Sequence, residues 1–152
     1  MMTLLVDTNV VLDCLLARHP FYDSASMLLC LGKLREVELW MSISQFTDAF
    51  YLLSEGGKKH RVHEAKRLLD SMLECVHLCP LAEEHARAAL DSTWPDLEDA
   101  CVYQAALAIK ADAIITRNQA DFERSSIRVF SCDELFAWLA AERGITYDWL
   151  DM

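Results

Sequence analysis

Trp94-Pro95-Asp96-Leu97-Glu98-Asp99-Ala100 sets three carboxylates within four residues, between a proline and a long apolar run. Other acids hold comparable places. Asp7 closes the apolar run Leu4-Leu5-Val6, Asp48 lies about one turn into a segment of helical periodicity, and Asp121 follows the run Ala111–Thr116. Two bare carboxylates 4 Å apart repel by about 4 kcal/mol at an effective dielectric of 20. A cluster of them must hold protons at raised pKa or bind cations. Oxygen-only donors favour Mg²⁺ or Mn²⁺ over zinc. Such a site can activate water and stabilise charge on an attacked phosphate, one way of hydrolysing a phosphodiester. A plainer role competes for the acids at 96–99. Pro95 is a good helix opener, Asp96 can serve as N-cap with Asp99 three residues on, and both favour the positive end of a helix dipole.

The elements that must position these acids are legible from periodicity. Leu4 to Val6 reads as a strand feeding a helix over Val10 to Leu16. Asp7, Thr8 and Asn9 thus fall at the C-terminal end of a strand, where open α/β sheets bind ligands. Asp7 could merely cap that helix, but Thr8 or Asn9 could do so as well. Phe21 to Leu34 reads as an amphipathic helix through Ala25, Leu28, Leu29, Leu31 and Leu34, and Glu38 to Ser42 as a strand. In the next helix, Ser44 to Leu53, the residues Phe46, Ala49, Phe50 and Leu53 trace one face. Aspartate is a mediocre helix former, so Asp48 there calls for a partner or a metal. Gly56-Gly57 breaks the helix, and a basic helical segment, Lys58 to Arg67, follows. Cys75 to Leu78 reads as a strand, Ala82 to Leu90 as a helix, and Ala100 to Ala108 as a helix buried on nearly every face. Ala111 to Thr116 and Ile127 to Phe130 read as strands, Asp133 to Ala141 as the last helix, and Gly144 to Met152 as an acidic, aromatic tail. Strands alternate with helices, and the connections are too long for hairpins. The pattern predicts one α/β domain over residues 1–152, a central parallel sheet covered by helices on both faces.

Composition narrows the function classes. The chain has 152 residues, 53% apolar and 25% charged, enough for one domain with a sizeable core. No apolar run reaches the roughly 18 residues that span a bilayer. The start, Met-Met-Thr-Leu-Leu-Val, carries no basic or cleavable apolar leader, so a cytoplasmic location without membrane partners is expected. Most of the six cysteines lie in apolar runs that read as core, and a cytoplasmic setting disfavours disulfides. Cys75-Val-His77-Leu-Cys79 has the alternation of a strand and lacks a second pair at zinc-ligand spacing. Net charge is −10, which excludes a protein that merely coats nucleic acid. Contact with nucleic acid would run through a metal or a local patch, and Lys58, Lys59 and Arg61 in the basic segment are the residues expected to hold phosphates.

Leu-Leu-Val-Asp7-Thr-Asn9-Val-Val-Leu-Asp13 resembles the opening of the PIN-domain family, metal-dependent ribonucleases that include VapC-type toxins. Asp96-Leu-Glu-Asp99-Ala and Ile-Ile-Thr116-Arg-Asn118-Gln-Ala-Asp121-Phe122 resemble its third and fourth motifs, in the family's order. The resemblance spans nearly the whole chain and implies a Rossmann-like, three-layer α/β/α fold. It further implies a Mg²⁺- or Mn²⁺-dependent endoribonuclease, the toxin of a toxin–antitoxin pair. Asp7, Asp99 and Asp121 would be metal-site acids, with Asp48 completing the catalytic set. Asn9, Asp96, Thr116 and Asn118 would support them. RNA, an antitoxin protein and a second copy of the chain are the implied partners. Two positions depart from the pattern. Asp48 stands where the family usually has glutamate, and Asn118 where it often has aspartate, leaving Asp121 to supply that charge. Both favour the alternative, a PIN-fold binding or scaffold protein with a weakened site. A phosphatase using Asp7 as nucleophile is a third reading. It is disfavoured because position 9, where a second acid is expected, is Asn.

Overall fold

A computed structural model describes residues 1–147 of the chain. Five strands alternate with helices: β1 (Met2–Val6), α1 (Thr8–Leu15), α2 (Tyr22–Lys33), β2 (Val37–Ser42), α3 (Ile43–Leu53), α4 (Lys59–Met72), β3 (Val76–Cys79), α5 (Glu83–Asp91), α6 (Leu97–Ala108), β4 (Ala113–Ile115), β5 (Arg128–Phe130) and α7 (Cys132–Arg143). A 3₁₀ turn, Gln119–Phe122, separates β4 from β5. All strand pairings are parallel, in the order β3-β2-β1-β4-β5.

The period-two pleat sorts the strand side chains into two cores. Leu4, Val6, Leu39, Met41, Ala113 and Ile115 face one layer, built from α1, α2, α3, α4 and α7. Leu5, Cys79 and Ile114 face the other, where Val102, Ala105 and Ala106 of α6 and the buried Phe122 meet them. α5 packs on α6. The three-layer α/β/α arrangement expected from the sequence is the arrangement found.

Local differences have local causes. α1 starts at Thr8, two residues earlier than its apolar pattern, because Asp7 itself takes the N-cap position. α6 starts at Leu97 behind Asp96, the expected cap. It is not buried all round: Ala100, Val102, Ala105 and Ala106 are covered, while Leu107 and Ala108 are exposed. Leu34, expected on the buried face of α2, is 65% exposed because the helix has ended and the chain turns away at Arg35. β3 runs one residue later than expected. Of the cysteines only Cys79 is buried; Cys30 is exposed, the other four are half-buried, and all six are free. No helix among the described residues is long and apolar enough to cross a membrane. Most of the acidic, aromatic tail, residues 148–152, lies outside the described residues.

Candidate active site

Chain order reverses between the central strand β1 and its neighbour β4, and parallel sheets offer a crevice beyond the strand ends at such a point. Val6 pairs in register with Ile115, so Asp7 and Thr116 emerge side by side at that edge. Both carboxylate oxygens of Asp7 are held. Thr116 Oγ1 donates to Oδ2 at 2.8 Å, and the Thr8 amide donates to Oδ1 at 2.8 Å. The Asp7 amide donates to the Ile115 carbonyl at 2.9 Å, which fixes the main chain beneath it. Burial pushes the Asp7 carboxyl above its ordinary value and Asp121 adds to the push, against the hydrogen bonds from Thr116 and Thr8 and the Arg117 guanidinium.

The mouth of α6 supplies the second group. Asp96 caps the helix by accepting the Asp99 amide at 2.9 Å, which fixes the backbone of Asp99 in the first turn of α6. Burial, followed by the charges of Asp96, Asp121, Asp7 and Glu98, pushes Asp99 up to about 7. Glu98 is also raised, by burial first and then by Asp48, Asp96 and Asp7. The charges acting on Glu98 and Asp99 thus come from the N-cap of α1 (Asp7), from α3 (Asp48), from the mouth of α6 (Asp96 and Glu98) and from the 3₁₀ turn (Asp121). Asp48 is half-buried on α3.

The remaining expected residues are placed as follows. Thr116 is fully buried, and its hydroxyl also accepts the Asn118 amide at 3.0 Å. Asn118 is exposed, and its carbonyl accepts the Asp121 amide at 3.0 Å, so the residue works here through its main chain. Asn9 is half-buried in the first turn of α1. Lys58, Lys59 and Arg61 lie exposed at the start of α4. Lys58 and Arg61 both reach Glu55, at 3.0 and 3.4 Å. The cation that the fold sets against Asp7 is instead Arg117.

Carboxylate and hydroxyl oxygens form the whole donor set of this edge, which suits a hard divalent cation. Among the described residues, however, no three His, Cys, Asp or Glu side chains are gathered tightly enough to hold one metal ion. A cation bound here would have to draw the acids together.

Several contributors were not singled out from sequence. Glu98 was noted only as a neighbour of the acids, yet it belongs to the cluster. Gln45 is 1% exposed. Its Oε1 accepts the Ser42 amide at 2.8 Å, and its Nε2 donates to the Val6 carbonyl at 2.9 Å. It thereby ties the end of β2 to the end of β1, directly beneath Asp7. The Ser42-x-x-Gln45 spacing of a capping box was the available signal. Asp13, 1% exposed, is held by both forks of Arg117 at 2.6 and 3.1 Å. Nothing local in the sequence pairs those two residues.

Residues 3–120 match the model of the PIN domain. Three solved structures share the fold at low identity. VapBC2 from Rickettsia felis, bound to a DNA fragment from its promoter, is 15% identical with a TM-score of 0.61, over 86% of this chain and 98% of that one. VapBC-1 from nontypeable Haemophilus influenzae is 15% identical with a TM-score of 0.62, over 87% and 99%. A toxin–antitoxin complex from Klebsiella pneumoniae is 19% identical with a TM-score of 0.55, over 78% and 89%. No curated protein matched the sequence. The match covers most of the chain, and the chain belongs to the PIN-domain family, whose members are generally nucleases.

Proposed function

We propose that this protein is a Mg²⁺- or Mn²⁺-dependent endoribonuclease that hydrolyses RNA phosphodiester bonds, and that it is the toxin of a toxin–antitoxin pair. The observation that carries the reading is the meeting of Asp7 and Thr116, hydrogen-bonded at 2.8 Å, at the switch point between β1 and β4, where the charges of Asp7 and Asp121 also act on Asp99. Those three would hold the cation, with Asp48 and Glu98 bordering it. Bound there, a divalent ion would supply a Lewis acid for the attacked phosphate and lower the pKa of water. The chain's own contribution is positioning. Thr116 and Thr8 fix both oxygens of Asp7, and Asp96 caps α6 through the Asp99 amide, which fixes the backbone of Asp99. Burial and the neighbouring acids raise Asp99 to about 7 in the metal-free protein, so a cation bound there would displace a proton near neutral pH. The family supports nuclease chemistry, and the VapBC complexes support an antitoxin partner. A basic segment of that partner would suit the acidic crevice.

A second reading, a PIN-fold binding protein with a weakened site, is favoured by the spacing of the donors and by the neutral Asn118. One experiment separates the two: cleavage of a mixed single-stranded RNA in Mn²⁺ by wild type and Asp99→Asn, with an EDTA control and Mn²⁺ titration. Cleavage lost in both controls supports the nuclease. Cleavage that survives EDTA overturns it, and absence of both cleavage and Mn²⁺ binding selects the binding protein.

A further inference from the structure

The turn from Thr116 to Asp121 is pinned to α1 at two points. Thr116 reaches Asp7, the N-cap of α1, and Arg117 reaches Asp13, further along the same helix. Asp13 is buried, and its carboxylate receives Arg117 Nε at 2.6 Å and Nη2 at 3.1 Å, with Arg18 Nη1 further off at 3.8 Å. The guanidinium also lies over the Phe21 ring, 4.1 Å from its centroid. Planar stacking and a bidentate carboxylate together leave Arg117 little freedom. From this anchor a continuous path runs to the acids: Asn118 amide to Thr116 Oγ1, then Asp121 amide to the Asn118 carbonyl.

A buried ion pair is weak evidence for stability, since well-packed apolar residues often replace one without loss. The pair therefore needs another reason to sit beside the site, and the path supplies it. We infer that Asp13 and Arg117 are positioning residues whose locked pair fixes the Thr116–Asp121 turn, so that the Thr116 hydroxyl and the Asp121 carboxylate are presented to Asp7. The inference rests on the proposed metal-dependent reading for its consequence in catalysis, but the ordering of the turn stands without it. A cavity of about 200 Å³ flanks the pair, lined also by Ser24, Cys132 and Asp133. It gives a mispaired Arg117 somewhere to go, so the bidentate contact rather than crowding must hold the side chain.

The test uses Arg117→Lys, Arg117→Gln and the apolar double variant Asp13→Leu/Arg117→Met, the last keeping the fold without an orphaned buried charge. Amide exchange at Asn118 and Asp121 in metal-free protein reads the turn. Mn²⁺ affinity by titration, and kcat and KM on RNA, read the consequence. The expected result is faster exchange at both amides in all three variants, with Mn²⁺ affinity and kcat lowered about 10–100-fold while KM holds. Arg117→Lys should be the mildest. A folded double variant with wild-type exchange and Mn²⁺ affinity would overturn the inference. So would a change confined to KM with a flattened salt dependence, which would make Arg117 a phosphate contact. Wild type that binds no Mn²⁺ would sink the metal-dependent reading instead, and amide exchange would still decide the role of the pair.

Discussion

The buried Thr116 hydroxyl donates to Asp7 Oδ2 across the β1–β4 crevice, 2.8 Å away. A valine at 116 would keep the shape and remove the donor, leaving one oxygen of a largely buried carboxylate without its partner. Thr116→Val is expected to lower RNA cleavage and Mn²⁺ affinity about 10–100-fold, as loss of an outer partner of a metal ligand typically does. It should also lower stability by about 1–3 kcal/mol. Thr116→Ser, which keeps the hydroxyl, should recover most of both. A valine variant equal to wild type in Mn²⁺ titration would remove Thr116 from the site.

The raised carboxyl of Asp99 makes metal-free stability depend on pH in a stated direction. Its folded pKa of about 7 lies above the ordinary carboxylate value, so the folded state binds the proton more tightly than the unfolded chain. That contribution is fully present in acid and is lost as pH rises through about 7. Asp7 and Glu98, also raised, act in the same sense. Thermal melts in EDTA between about pH 5 and pH 8 should therefore fall as pH rises toward the upper end, beyond the trend of Asp99→Asn. Mn²⁺ competes with the same protons, so its apparent affinity should climb over that window and the melts should flatten when it is added. A wild-type profile parallel to that of Asp99→Asn would show that Asp99 is not the titrating group.

How much of this was legible in the sequence depends on the range of the interaction. The apolar strands are local patterns, and they were enough to put Asp7 and Thr116 at the C-terminal ends of strands. The Asp96 cap on Asp99 was legible for the same reason, since donor and acceptor are three residues apart. Gln45 and Asp13 were not. Each looks like an ordinary polar interruption of a helix until the sheet brings Val6 under one and Arg117 against the other. The extent of α6 burial was misjudged because alanine tolerates either side of a helix, so composition alone could not say which face the sheet covers.

Gly32 marks a close approach that composition also concealed. A Cβ built there would stand 2.6 Å from the Cys75 carbonyl oxygen and 2.7 Å from Leu39 Cδ1. The carbonyl belongs to the backbone leading into β3 and cannot rotate away as a side-chain tip would. Gly32→Ala would gain roughly 1 kcal/mol in helix propensity. Overpacking should outweigh that gain, at about 1–3 kcal/mol. Denaturant unfolding is expected to show a net loss, with RNA cleavage at permissive temperature little changed because the clash lies at the opposite end of β2 from Ser42. A stabilised alanine variant would mean that the α2–β3 contact is looser than described.

The start of α4 offers a test of the proposed RNA contact. Lys58, Lys59 and Arg61 crowd the positive end of the helix dipole, where cations are unfavourable, and no side chain caps the free amides there. Glu55 relieves part of this through Lys58 and Arg61, but those pairs are exposed and weak, so a phosphate can displace them. Replacing all three cations by alanine should lower RNA affinity and flatten its salt dependence, the logarithmic slope falling by about 2 at 0.7 per phosphate contact. The fold should be unharmed or slightly steadier, since an unfavourable dipole contact of about 0.3–1 kcal/mol per charge is removed. Binding measured in Ca²⁺ or EDTA, where cleavage is off, isolates the effect from the acidic crevice. Unchanged affinity with an unchanged slope would move phosphate recognition away from α4, and Arg117 would be the next cation to examine.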